Sequence, residues 1–239
     1  MKTLTGISLI GLSLLVFSSC TKSQPSIKGK VLRMVLKDAV KTSDPTNAYD
    51  TVSTEVIDQI YDSVLQYDYF SDSLKLVPNL LEKMPEVSNG GKTYTLTFRK
   101  DLKFQDDDCF KATAGKGRAV ITDDFIYAWK RHANPSTESQ AFWIWDNKVE
   151  GINDFQAKFG KGKPDAEIMK EAVTGFVKKS DHVLQIKLVK PYPQLLYILA
   201  MHFSTPIPFE AIETYGKDFV NHPVGTGPYK VQSWNSTSR

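Results

Sequence analysis

The 239-residue sequence predicts an α/β domain. Two short runs, Thr93–Phe98 and His182–Val189, alternate apolar and polar residues as half-buried strands do. Around them lie segments with the apolar spacing of helices, at Ser53–Leu65, Phe125–Trp129 and Pro208–Tyr215. Strands and helices interleaved in this order argue against an all-helical or all-β chain.

Taken in order, the chain opens on Met1-Lys2, an apolar stretch from Ile7 to Phe17, and the small residues Ser18-Ser19 ahead of Cys20. That is the layout of a secretory signal peptide, too short to cross a bilayer as a mature helix. A cysteine directly after the small residues predicts cleavage behind residue 19 and lipidation of Cys20, although Phe17 stands where leucine is usual. An ordinary signal peptide cut elsewhere is the alternative. Acyl chains on Cys20 would hold the protein to a membrane outside the cytoplasm, with residues 20–29 as a tether. Cys20 and Cys109 are the two cysteines. With Cys20 acylated, Cys109 has no partner, and no disulfide framework is expected. The formal net charge of +3 is too small to argue for nucleic acid or an anionic membrane surface.

Val31–Leu36 is apolar almost throughout, as a strand buried on both faces would be. Ser43-Asp44-Pro45 breaks it into a loop. Ser53–Leu65 places Val56, Ile57, Ile60, Tyr61, Val64 and Leu65 on one helical face. Ser88-Asn89-Gly90-Gly91 reads as a turn before Thr93–Phe98, which suggests a hairpin with a strand near Leu76-Val77. Thr122 is the expected N-cap of the next helix, with Asp123 and Asp124 in its first turn and Asn134-Pro135 at its end. Pro193–Phe203 predicts a buried helix, and Pro208–Tyr215 a shorter one stopped by Gly216. His222 to Val231 reads as a tight turn feeding a strand. Gly225 and Gly227 would supply unusual backbone angles there, and Pro228 would fix its own φ.

Catalytic and metal chemistry find no support in these residues. His132, His182, His202 and His222 share no ligand spacing. Asp106-Asp107-Asp108 lacks the spaced ligands of a calcium hand and reads as a solvated acidic turn. Gly225-x-Gly227 lacks a third glycine before a helix, and Ala114–Arg118 lacks Walker spacing. Cys109 has no histidine at a nucleophile spacing and is expected to be inert. We expect no enzyme, no cofactor and no metal.

The segment from Pro223 through Gly225, Thr226, Gly227, Pro228 and Tyr229 resembles the signature of extracytoplasmic solute-binding proteins, family 5, which serve peptide importers of the ATP-binding-cassette class. Further similarity runs collinearly through Asp44–Thr51, Leu76–Glu82, Ser88–Phe104, Thr122–Arg131, Asp181–Leu184 and Pro206–Tyr215. The resemblance implies a lobe of the type II periplasmic-binding-protein class, with a mixed sheet and an inserted α+β subdomain. Residues 30–61 and 174–239 would form the discontinuous first lobe, and residues 62–173 the insertion. It also implies capture of oligopeptides or dipeptides for delivery to permease subunits. By the same resemblance Tyr49, Asp50 and Thr51 would line the cleft, with Phe142 and Trp143 near another cleft position. The Pro223–Tyr229 motif would be structural.

Two departures stand out. Residues 105–121 replace a short family turn with a longer Lys-Gly-rich loop. The family's second lobe, which carries the carboxylate for a peptide's amino terminus, has no counterpart here. The expectation is therefore a chain truncated after the first lobe that alone binds peptide weakly or not at all. The alternative is a truncated surface lipoprotein with an interaction role, or a non-functional remnant.

Overall fold

The computed structural model describes residues 30–158, 167 and 170–234. The signal, lipidation and tether assignments, Cys20 included, lie outside them. The chain divides into two units, residues 1–35 and 36–239. In the first, described residues 30–35 are neither helix nor strand, so the strand expected at Val31–Leu36 does not form. Leu32 and Val35 are 80% and 97% exposed. An apolar run becomes a strand only where a neighbour takes up its backbone N–H and C=O groups, and no ladder among the described residues includes it.

The second unit begins with helix α1 (Thr51–Ile60). Asp50 caps it, its carboxylate accepting the Ser53 N–H at 2.9 Å, so the helix starts two residues before the expected Ser53. It also ends earlier than expected. Tyr61 is extended, and Leu65 enters a strand instead. That strand, β1 (Leu65–Tyr67), pairs antiparallel with β2 (Leu76–Pro78). The expected partner of the Thr93 strand is thus replaced. The Asn89-Gly90-Gly91 turn joins β3 (Glu86–Ser88) to β4 (Thr93–Thr97), while Leu76-Val77 belongs to the other ribbon. Gly90 and Gly91 have φ of +60° and +86° there, as a tight turn requires.

Helix α2 (Thr122–Ala133) is followed by α3 (Ile152–Lys158), β5 (Phe176–Ser180) and β6 (Val183–Lys187). The main sheet has the order β3-β4-β6-β5, each pair antiparallel. Thr122 is not the cap of α2. Its hydroxyl donates to Ser180 O, and Ile121 takes the cap position with its N–H on the Asp124 carboxylate at 2.9 Å. Asn134 closes the helix ahead of Pro135, as expected.

One face of α2 lies on aromatic rings. Phe125 stacks on Phe98 at 4.0 Å between centroids, and Trp129 meets Trp145 at 5.2 Å and Phe176 at 5.5 Å. These side chains are buried, each such burial contributing about 1.5–3 kcal/mol.

The helix expected over Pro193–Phe203 shrinks to α4 (Leu195–Ile198), followed by turns and a single 3₁₀ turn at His202–Ser204. Its carbonyls are drawn elsewhere: Leu199 O accepts the Leu65 N–H, and the Ser204 hydroxyl bonds Leu199 O and Met201 O. Helix α5 (Phe209–Tyr215) stops at Gly216, whose φ is +54°.

His132 on α2 is buried, with Nδ1 3.0 Å from Ser139 Oγ and Nε2 3.1 Å from Phe203 O. A carbonyl can only accept, so Nε2 carries the proton. Burial, partly offset by that bond, lowers its pKa to about 4. The unfolded chain takes up this proton near the ordinary histidine value of about 6.5, whereas the folded one resists it. Stability is therefore expected to fall between pH 6.5 and 4, by about 1.4 kcal/mol per unit at most from this group. His202, also lowered by burial, adds in the same direction. Urea denaturation midpoints at pH 7 and pH 5 check this. A flat profile would exclude it.

Candidate functional site

The Gly-Thr-Gly segment does not feed a strand. Residues 222–231 run irregularly against the C-terminal end of α1. Gly227 N–H donates to Ile60 O at 2.8 Å and Tyr229 N–H to Gln59 O at 3.0 Å. These fill carbonyls that a helix end leaves open, which fixes where α1 stops. Neither glycine has a positive φ, so the expected role for unusual backbone angles is wrong. What matters is space. A Cβ on Gly225 would lie 2.0 Å from Ile60 O, and one on Gly227 2.7 Å from the Ile60 carbonyl carbon. Thr226 Oγ1 donates to Asp62 Oδ2 at 2.9 Å and accepts the Asp62 N–H at 3.2 Å. Pro223 is buried beneath, while Pro228 and Tyr229 face solvent.

The 105–121 loop braces this strap. Gln105 N–H donates to Gly225 O at 2.9 Å, and its Nε2 donates to Gly227 O and Tyr229 O at 2.8 and 2.6 Å. Arg118 forks onto Asp124 and Glu210, tying the loop to α2 and α5. The acidic turn is only partly solvated. Asp106 pairs with Lys116, and Asp107 accepts the Tyr215 hydroxyl and the Cys109 N–H. Burial and the Asp107 contact raise the Cys109 thiol pKa, consistent with an inert cysteine.

At its other end α1 forms one wall of an open groove of about 490 Å³. Thr51, Thr54, Glu55 and Asp58 line it from the polar face of the helix, Tyr49 and Asp50 from the loop before it. Trp143 and the Met201-His202-Phe203 segment complete the lining. Tyr49 stacks on Phe203 at 6.1 Å, and His202 Nε2 donates to Ala48 O at 2.9 Å. Tyr49 and Trp143 remain 54% and 40% exposed.

Four of the five residues expected at a cleft, Tyr49, Asp50, Thr51 and Trp143, thus share one groove. Phe142 does not. It is half-buried and packs against the core, as its neighbours Ile144 and Trp145 do. Thr54, Glu55 and Asp58, which the sequence reading does not single out, line the groove beside Thr51, and their spacing from it marks one helix face. His202 comes from 154 residues beyond Ala48 and left no local signal.

Every formal charge on the groove wall at neutral pH is acidic. Asp50, Glu55 and Asp58 line it without lysine or arginine. The Ser53 N–H keeps Asp50 below the usual carboxylate range. Packing around Asp58 raises its pKa against the opposing influence of His202, although its residue surface meets solvent. Burial lowers the His202 pKa, against the opposing effects of the Ala48 carbonyl and Asp58.

A second cavity of about 450 Å³ lies by the strap, lined by Asp62, Arg99, Asp101, Lys103 and Thr226 among others. Its polar groups are largely engaged with one another: Arg99 bonds Asp101 and Asn79 O, and Asp62 bonds Thr226. Among the described residues no cluster of histidine, cysteine and carboxylate side chains could hold a metal. No described helix is long and apolar enough to cross a membrane.

Residues 75–239 match the family model described as bacterial extracellular solute-binding proteins, family 5, middle. The glutathione-binding protein GsiB of Salmonella choleraesuis is 29% identical over 226 residues, covering 95% of this chain and 36% of that protein. GsiB of Escherichia coli O157:H7 is 27% identical over 235 residues, 98% of this chain and 37% of that protein. The chain thus spans little more than a third of the length of these relatives. Among solved structures, Listeria monocytogenes OppA bound to peptide superposes with a TM-score of 0.68 at 20% identity, over 86% of this chain and 36% of the other. The pheromone receptor PrgZ gives 0.66 at 23%, over 82% and 35%. The fold is that of a portion of a type II periplasmic binding protein.

Proposed function

The chain belongs to the bacterial extracellular solute-binding proteins of family 5, and on that premise we propose that it captures oligopeptides or dipeptides for an ATP-binding-cassette importer. The observation that carries this is the groove, in which Tyr49, Asp50, Thr51 and Trp143 converge although Trp143 is remote in sequence from the other three. Its volume falls within the range of about 300–1,000 Å³ usual for small-ligand sites. Relatives named for binding glutathione and a neighbour bound to peptide support a ligand of peptide chemistry. Aromatic rings grip such a ligand without reading its sequence, which suits a receptor for many peptides.

In this reading residues 30–61 and 174–239 belong to lobe I, residues 62–173 form the inserted subdomain, and a second lobe closes over the groove. Loading is then reported to permease subunits by closure. Cys20 carries the lipid that keeps the protein at the membrane. Labelling with a radioactive fatty acid is expected to mark the native protein and to fail in Cys20→Ser. Label retained in that variant would exclude the site.

Calorimetric titration of a tripeptide panel that includes glutathione tests ligand capture. Trp143→Ala is expected to weaken binding about tenfold or more, as loss of an aromatic anchor does. Tyr69→Ala, on the far more exposed tip of the β1–β2 ribbon, is expected to leave it unchanged. Equal effects of the two would sink the groove as the site. A polypeptide limited to residues 20–239 is expected to bind no tighter than about millimolar, because one open wall leaves most of a ligand in water.

A further inference from the structure

The groove offers a ligand acceptors and negative charge, and almost nothing that attracts an anion. Asp50, Glu55 and Asp58 line it, and no lysine or arginine does. Lys41 lies near enough to Asp50 to act on it, but Asp58 is opposed only by His202. That ring donates its Nε2 proton to Ala48 O, so in its neutral form the other nitrogen is an acceptor too. Glu55 and Asp58 accept no side-chain hydrogen bond or ion pair from any described residue, unlike Asp44, Asp62, Asp106, Asp107 and Asp124, which are all engaged. Tyr49 and Trp143 add exposed π faces, whose quadrupoles attract cations.

From this arrangement we infer that the wall of Tyr49, Glu55, Asp58 and Trp143 receives a positively charged side chain of a ligand, that of lysine or arginine. The receptor accordingly takes cationic peptides in preference to neutral or anionic ones. The inference rests on the peptide-receptor reading above and names its substrate class. A lysine ammonium or an arginine guanidinium in this groove meets carboxylates and π faces, while a ligand carboxylate there meets a lining without lysine or arginine. Charge selection of this kind acts through repulsion of the wrong ligand as well as attraction of the right one.

Calorimetry on the intact native protein with tri-lysine, tri-alanine and tri-glutamate decides the matter. Tri-lysine is expected to bind about tenfold tighter than tri-alanine, with tri-glutamate weakest, and the ratio should shrink as salt rises. Asp58→Asn, and the double variant Glu55→Gln with Asp58→Asn, should narrow the lysine-to-alanine ratio severalfold. Both sites are on the solvent side of α1, and a thermal melt verifies folding. Equal affinity for the three peptides, or a preference that survives the double variant unchanged, overturns the inference and leaves the receptor reading intact. Binding of none of the three removes that reading, and the inference falls with it.

Discussion

Gly225→Ala is expected to destabilise the fold by about 3 kcal/mol, the upper end of ordinary overpacking. A methyl group at that position would sit 2.0 Å from Ile60 O and 2.8 Å from its carbonyl carbon. Both are backbone atoms, so no side-chain rotation relieves the clash. Nor can Ile60 O simply retreat, because it accepts the Gly227 N–H. Gly225 O is in turn held by the Gln105 N–H, so the strap is trapped between the helix end and the loop. For a domain of this size the loss corresponds to a drop of about 6–12 °C in Tm. Gly90→Ala supplies the comparison. Its φ of +60° and ψ of +34° are left-handed helical and nothing lies within 4 Å of the missing methyl, so only backbone strain of about 1 kcal/mol is expected. If the two variants melt together, close approach is not the reason for glycine at 225.

Arg131→Met is expected to cost about 3–5 kcal/mol, because it strands a buried carboxylate. Arg131 donates to both oxygens of Asp44, at 3.0 and 2.8 Å, and to Thr46 Oγ1 at 2.7 Å. The two charged side chains are 6% and 4% exposed. Burial alone would raise the Asp44 pKa. The Arg131 charge and hydrogen bonds from Arg131 and Thr46 more than offset that and hold it below 3.8. A carboxylate depressed in the folded state contributes stability above its unfolded pKa, and loses it as pH falls through the lower folded value. In Arg131→Met the same carboxyl, buried without its cation, shifts the opposite way. The deficit of the variant should therefore narrow as pH falls from 7 toward 4, where Asp44 can be neutral. Urea midpoints for both proteins across that range check it, and a deficit independent of pH would refute the account. Asp44→Asn combined with Arg131→Met should recover part of the loss.

Much of the sheet was legible, because alternation is a local signal. Leu96 and Leu184 face each other across β4 and β6, as do Tyr94 and Ile186. Helix α2 was legible from its apolar face and its acidic first turn, and α5 from Pro208 and Gly216. What could not be read was partnership. Val31–Leu36 has the composition of a strand, but composition does not supply a neighbour. Leu76-Val77 has strand character without saying that Leu65–Tyr67, rather than Thr93–Thr97, lies beside it. The apolar Pro193–Phe203 run looked continuous because the pull of Leu65 and Ser204 on its carbonyls comes from tertiary structure.

The groove divides along the same line. Its helical wall follows from spacing within ten residues. Trp143 was picked out by resemblance, while Met201, His202 and Phe203 were brought in by folding alone. The motif at residues 223–229 carries the family resemblance in the sequence, but what constrains its glycines is a carbonyl from residue 60, which only the fold brings there.

Helix α1 is only ten residues long, a length at which a free helix in water would spend most of its time unwound. Here it is fastened at both ends, by Asp50 on the Ser53 N–H and by the Gly227 and Tyr229 N–H groups on its last carbonyls. Thr51, Thr54, Glu55 and Asp58 hang between those two fastenings. If the groove binds as proposed, a ligand would meet groups already in position, and little of its interaction would be consumed in ordering the wall. Preorganisation of this wall is built in by a helix cap and a glycine strap.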